Sequence, residues 1–168
     1  MDFSKVAYPN FPVYVDDRGK MKRVTLEAGK ATPNFASFGD VTGDGLEEAM
    51  VVLGIRNRGS AISDYVYIFS LEGSQLTVLW EFQTGDRADG GLRQVYAKDG
   101  ELVVELFGNN RVVGHDLLLG DEPLCCPTSF TRSYYRLAKG VAKFDRSEVE
   151  RNPEKNANPV MQPYQRMQ

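Results

Sequence analysis

Nine residues, Asp40-Val41-Thr42-Gly43-Asp44-Gly45-Leu46-Glu47-Glu48, put oxygen-bearing side chains at loop positions 1, 3, 5 and 9. Calcium is a hard cation that takes six to eight oxygens at about 2.3–2.6 Å, and a tight acidic loop supplies several of them from one segment. Alternate residues of such a loop point inward, the glycine at position 6 (Gly45) permits the sharp turn, and the Leu46 carbonyl serves at position 7. The segment is not an EF-hand, because position 12 is Val51 and no helix pattern follows. The expected ligand set is Asp40, Thr42, Asp44, Leu46 and Glu48, with Ca2+ as the cofactor. A metal-free alternative stays open: an Asp/Gly turn whose carboxylates accept from backbone N–H groups.

Three other groups carry chemistry. Gly85-Asp86-Arg87-Ala88-Asp89-Gly90-Gly91 is a glycine-framed loop, and the fork of Arg87 matches carboxylate or phosphate. The same loop is satisfied internally if Arg87 pairs with Asp86 or Asp89. His115-Asp116, some ten residues before Cys125-Cys126, offers imidazole and thiolate in one stretch, though without a hydrolase signature around it. Arg87, Asp89 and His115 are therefore the candidate ligand-binding residues, and no residue is assigned a catalytic role. Asp86 or Asp89 with Glu81 or Glu105 would supply the paired carboxylates of a glycosidase only if the fold set them across a cleft.

The acidic segment resembles the calcium loop of FG-GAP and VCBS repeats, found in integrin-type β-propellers and many secreted bacterial proteins. Phe38-Gly39-Asp40 matches the aromatic-Gly-Asp approach to that loop. The resemblance implies calcium on positions 1, 3, 5 and 9 and on the carbonyl at 7. Thr42 departs from it, since the family usually has Asp or Asn there, and a neutral hydroxyl lowers the ligand charge. One copy cannot build a propeller, which needs several blades. Over residues 35–140, the Asp-Val-Thr-Gly-Asp-Gly loop, the hairpin ending in Trp80, the Thr84–Gly91 stretch and Cys-Cys-Pro resemble uncharacterised bacterial secreted or periplasmic proteins. That likeness implies a periplasmic or extracellular location, with a cytoplasmic one as the alternative.

Composition narrows the classes. One histidine excludes a His-x-x-x-His zinc enzyme, and neither a P-loop nor a Gly-x-Ser-x-Gly elbow is present. The 168 residues are one domain's worth, and 20 Lys+Arg against 23 Asp+Glu argue against an electrostatic grip on nucleic acid. The longest apolar run, Ala49 to Ile55, is too short to span a bilayer as a helix. The adjacent Cys125 and Cys126 cannot staple distant parts of the fold to each other.

Period-2 apolar alternation dominates the chain. Leu76, Val78, Trp80 and Phe82 form one strand face, Leu102, Val104 and Leu106 another, and Tyr65, Tyr67 and Phe69 alternate against Val66 and Ile68. The continuous run Glu48–Ile55 predicts a central strand buried on both faces. Asp99-Gly100 is the clearest hairpin turn, joining Leu92–Lys98 to Glu101–Phe107. Gly108 to Pro127 reads as a long connection. Trp80, Tyr65, Tyr67, Tyr134 and Tyr135 offer either core packing or an aromatic platform for sugar or peptide.

The expected fold is all-β and mainly antiparallel (a sandwich, barrel or meander), with residues 1–144 as one domain. Residues 145–168 form an extended or disordered C-terminal tail, with a helical turn near Ser147–Glu150. The expected function is a non-catalytic extracytoplasmic binding or structural module stabilised by the calcium loop, with protein or glycan as its partner. The alternatives are an assembly subunit that contacts neighbours, or a second copy, through its tail and strand edges, and a polysaccharide hydrolase.

Overall fold

The computed structural model describes residues 1–16, 18–56, 62–86, 90–120, 126–138 and 140–165, with Arg56 and Ile62 described for backbone only. The described residues contain one 3-10 turn, Phe3–Lys5, and otherwise strands, all paired antiparallel. One four-stranded sheet runs in the order β3 (Phe35–Gly39), β4 (Glu48–Arg56), β5 (Ile62–Glu72), β6 (Gln75–Gln83). A second has the order β12 (Val141–Arg151), β11 (Ser129–Ala138), β8 (Glu101–Phe107), β7 (Leu92–Lys98). Two hairpins complete the set: β1 (Tyr8–Tyr14) with β2 (Met21–Leu26), and β9 (Arg111–Val113) with β10 (Asp116–Leu118).

The sheets pack face to face over Met50, Val52, Val66, Ile68, Trp80 and Phe82 from one side and Leu92, Val95, Leu102, Val104, Leu106 and Tyr135 from the other. The opposite face of β4 and β5 carries Ala49, Val51, Leu53, Ile55, Tyr65, Tyr67 and Phe69 under Phe3, Tyr8 and Phe11. The first sheet is thus the middle of three layers, and its unbroken apolar run follows from burial on both faces. At the β7–β8 turn, Asp99 and Gly100 both have positive φ (52° and 76°), the geometry a two-residue type I′ hairpin requires.

Three expectations need correcting. Leu76, Val78, Trp80 and Phe82 do not share a face. A register shift opposite Ile68/Phe69 pairs Phe69 with Val78 but Ile68 with Trp80. The extra residue sends Leu76 and Val78 to the outer core and Trp80 and Phe82 to the inter-sheet core. The stretch 108–127 contains the β9–β10 hairpin.

The third correction concerns residues 145–168. Asp145–Arg151 belong to strand β12, paired along its length with β11, so no helical turn forms at Ser147–Glu150. The segment from Asn152 to Tyr164 is extended and tied down along its length. The Asn152 side chain donates to the carbonyls of Pro127 (3.1 Å) and Asn156 (2.9 Å). Ala157 packs on Phe107 and Phe130, and the Val160 N–H donates to the Arg93 carbonyl at 3.0 Å. Pro163 bridges Phe35, the Tyr164 N–H donates to the Asn34 carbonyl (2.8 Å), and the Tyr164 hydroxyl accepts from the Phe3 N–H (2.9 Å). Polar composition suggests a loose tail, but most of these contacts join residues far apart in sequence.

Candidate functional site

The acidic corner links β3 to β4 and is built on three anchors. The Val41 side chain is fully buried in the inter-sheet core. Gly43 and Gly45 have φ of 79° and 86°, which side-chain-bearing residues rarely adopt. Gly43 also lies against Gly100, so that a Cβ on Gly100 would come within 2.9 Å of the Gly43 Cα. The corner therefore docks on the β7–β8 turn of the opposite sheet.

Its carboxylates do different work. Asp40 Oδ1 accepts from the N–H groups of Thr42 (3.1 Å) and Gly43 (2.6 Å), and Oδ2 from that of Gly45 (2.9 Å). Those amides, Gly45 first, hold the Asp40 carboxyl below the usual range despite partial desolvation. Asp44 Oδ1 accepts from the Leu46 N–H at 2.8 Å. Glu48 is only 3% exposed, and its Oε2 accepts from the Val41 N–H at 3.0 Å. Burial pushes its carboxyl up, the nearby charges of Asp44 and Asp40 add to the rise, and the Val41 amide opposes it.

The five expected ligands thus occupy one corner, and their chemistry suits a hard cation. Asp40 is held by the amides of Thr42, Gly43 and Gly45 with that of Asp44 adding to them, Glu48 by that of Val41 with Thr42 adding to it, and Asp44 accepts from that of Leu46. Thr42 Oγ1 sits 3.5 Å from Asp40 Oδ1, and Leu46 is exposed. Among the described residues, no three His, Cys, Asp or Glu side chains are grouped as metal ligands.

Of the other candidates, Arg87 and Asp89 lie outside the described residues, as does Cys125. Cys126 is exposed. His115 is exposed at the β9–β10 turn, with Nδ1 2.6 Å from the Glu81 carbonyl. Its own carbonyl accepts from the Gln83 N–H (3.2 Å), and the Gly114 carbonyl accepts from the Trp80 indole N–H (2.8 Å). The turn thus covers the edge of β6, a structural task for His115. Of the acids read as paired carboxylates, Asp89 lies outside the described residues, Glu81 accepts from the Asn10 side chain at 2.9 Å on one sheet, and Glu105 is bound to Arg93 and Arg132 on the other. Tyr65, Tyr67, Trp80, Tyr134 and Tyr135 are all buried, which makes them packing residues.

One group escaped the sequence reading. Asp64, near the start of β5, lines a cavity of about 140 Å³ with Asn34, Phe35, Gly91, Leu92, Ala157 and Pro159. Burial raises its carboxyl to about 6, and the Asn34 amide works against the rise. The only signal in the sequence is an acid inside a β-branched and aromatic run. Because the folded state holds this proton more tightly than the unfolded chain, Asp64 favours folding fully below pH ~4. That contribution fades as pH rises through about 6. Asp64→Asn is expected to stabilise the protein at pH 8 by up to about 3 kcal/mol and to change little at pH 4. Denaturant unfolding of both proteins at the two pH values checks this, and an equal effect at both refutes it.

No family model, curated protein or solved structure matches the chain.

Proposed function

We propose that the chain is a non-catalytic binding or structural module whose β3–β4 corner takes a calcium-type cation. The observation that carries this reading is acidic charge with no basic side chain beside it. Asp40, Asp44 and Glu48 converge on one corner, Glu48 is buried, and no Lys or Arg among the described residues pairs with any of them. A divalent ion relieves that repulsion, and an oxygen-only donor set favours calcium over softer metals. Asp40 acts chiefly as the acceptor that shapes the corner, while Asp44 and Glu48 offer lone pairs to the ion, and the FG-GAP-like spacing adds the Thr42 hydroxyl and the Leu46 carbonyl to the ligand set. The FG-GAP-like spacing supports the same reading. It favours a periplasmic or extracellular location, where even a weak site meets enough calcium to fill.

The mechanism is stabilisation by linkage. Because the corner joins the two sheets through Val41 and the Gly43–Gly100 contact, an ion bound there tightens the whole sandwich. At a calcium concentration a hundred times Kd the gain is about 2.7 kcal/mol, or about 5–10 °C in Tm for a chain this size. Thermal unfolding in 10 mM calcium and then in excess chelator is expected to show that difference in the native protein and to lose it in Asp44→Ala. A melting temperature indifferent to calcium in the native protein overturns the proposal.

A further inference from the structure

The two four-stranded sheets have four edges, and at three of them the protein's own chain makes contacts. The edge of β7 receives the Val160 N–H on the Arg93 carbonyl, and β3 is bridged by Pro163, with the Tyr164 N–H on the Asn34 carbonyl just before it. The edge of β6 is held by the Gly114-His115 turn through Gln83, Glu81 and Trp80. The fourth edge is β12, which at eleven residues equals the longest strand, and among the described residues it pairs with β11 alone. Eight of the eleven β12 residues are exposed, including Val149 at 57%. An unpaired edge of this length presents a row of backbone donors and acceptors ready to receive another strand.

We infer that β12 is a homodimer interface, pairing antiparallel with β12 of a second copy about a two-fold axis at Glu148. The charge pattern selects both the occupant and the register. With Glu148 opposite its own counterpart, Arg146 faces Glu150 of the second copy and Asp145 faces Arg151, and each of these pairs occurs twice. Arg132, directly across β11 from Glu148, lies on the same face as the central glutamates, with Glu105 and Glu150 as its partners within the chain. Moving the axis to Ser147 leaves two opposite-charge pairs and sets Lys143 against Arg151. Moving it to Val149 sets Glu148 against Glu150, and moving it to Arg146 sets arginine against itself. Like charges directly opposite across a strand pair are unfavourable and opposite charges favourable, so the Glu148 register is preferred, with four opposite-charge pairs against the one like-charge pair of the two Glu148 side chains. It also keeps Arg146–Glu150 in a straight five-residue ladder, with the Asp145–Arg151 pairs at its two ends beside the register shift. The product is one eight-stranded sheet spanning two sandwiches, a self-complementary contact of the kind two-fold dimers use.

Sedimentation equilibrium in chelator, which separates this inference from the cation proposal, is expected to show a monomer–dimer equilibrium that weakens as salt is raised. Arg151→Glu, which sets two acids against each other twice, is expected to raise the dimer dissociation constant about tenfold or more while leaving Tm at low protein concentration unchanged. Cysteine scanning in a Cys125→Ser, Cys126→Ser background then reads the register. Opposed Cβ atoms on antiparallel strands lie about 4.5–5.5 Å apart, close enough for a disulfide with little adjustment. Glu148→Cys is expected to cross-link into a covalent dimer under mild oxidation, and Lys143→Cys to remain uncross-linked. A protein that is monomeric at every concentration overturns the inference. So does a dimer in which the Glu148→Cys variant fails to cross-link or the Lys143→Cys variant cross-links as readily.

Discussion

Glu105→Ala is expected to destabilise the protein by about 3–5 kcal/mol, the largest single effect among the polar side chains. Glu105 lies on β8, on the outer face of the second sheet, yet its side chain is only 1% exposed. It accepts from Arg93 and from Arg132 Nε (2.7 Å), and from the Tyr96 hydroxyl at 3.1 Å. Arg132 reaches on to Glu150, and both arginines lie over the Phe130 ring, with the Arg93 guanidinium 4.1 Å from its centroid. Removing the carboxylate leaves the Arg93 guanidinium against an aromatic ring without its counter-charge and Arg132 with Glu150 alone, which is why truncating one partner costs far more than the pair contributes net. Replacing all three with apolar residues (Glu105→Leu, Arg93→Met, Arg132→Met) is therefore expected to restore most of the loss. Denaturant unfolding of the single and triple variants decides it. A Glu105→Ala cost below about 1 kcal/mol would mean that water already reaches these charges.

A methyl group added at Gly39 is expected to cost about 1–3 kcal/mol, and removing one at Ala97 to restore most of it. Gly39 ends β3 and faces β7 across the join of the two sheets, where a Cβ would lie 2.5 Å from the Ala97 Cβ. Neither methyl has a torsion that moves it aside, so the sheets themselves must part. The same sheets are held one turn away by the Gly43–Gly100 contact, which limits how far they separate. Gly39→Ala is expected to lower Tm, Ala97→Gly to do so only slightly, and the double variant to fall near the native value. A double-mutant cycle with a coupling energy near zero would show that the methyl groups do not meet.

Much of this architecture is legible in the chain. The apolar run Glu48–Ile55 implied a strand covered on both sides, and β4 lies between two cores. Asp99-Gly100 implied a tight hairpin, and both residues adopt the left-handed backbone that turn needs. Asp40-Val41-Thr42-Gly43-Asp44-Gly45 implied a tight acidic turn, and the Asp40 and Asp44 carboxylates accept from its backbone N–H groups. These are local properties, because turn chemistry and period-2 patterning act over short stretches of chain.

What the tertiary structure decided lies beyond that range. Leu76 and Trp80 read as one face until a single unpaired residue, visible only against β5, rotates the strand between them. Glu105 reads as a solvated position on an alternating strand. It is buried because Arg132, 27 residues onward, and Arg93 on the neighbouring strand fold over it. The segment after Asn152 reads as loose polar chain, but Tyr164 closes onto Asn34 and Phe3 from the other end of the molecule. In each case the energy comes from burial and pairing between residues far apart in the chain, which no local pattern encodes.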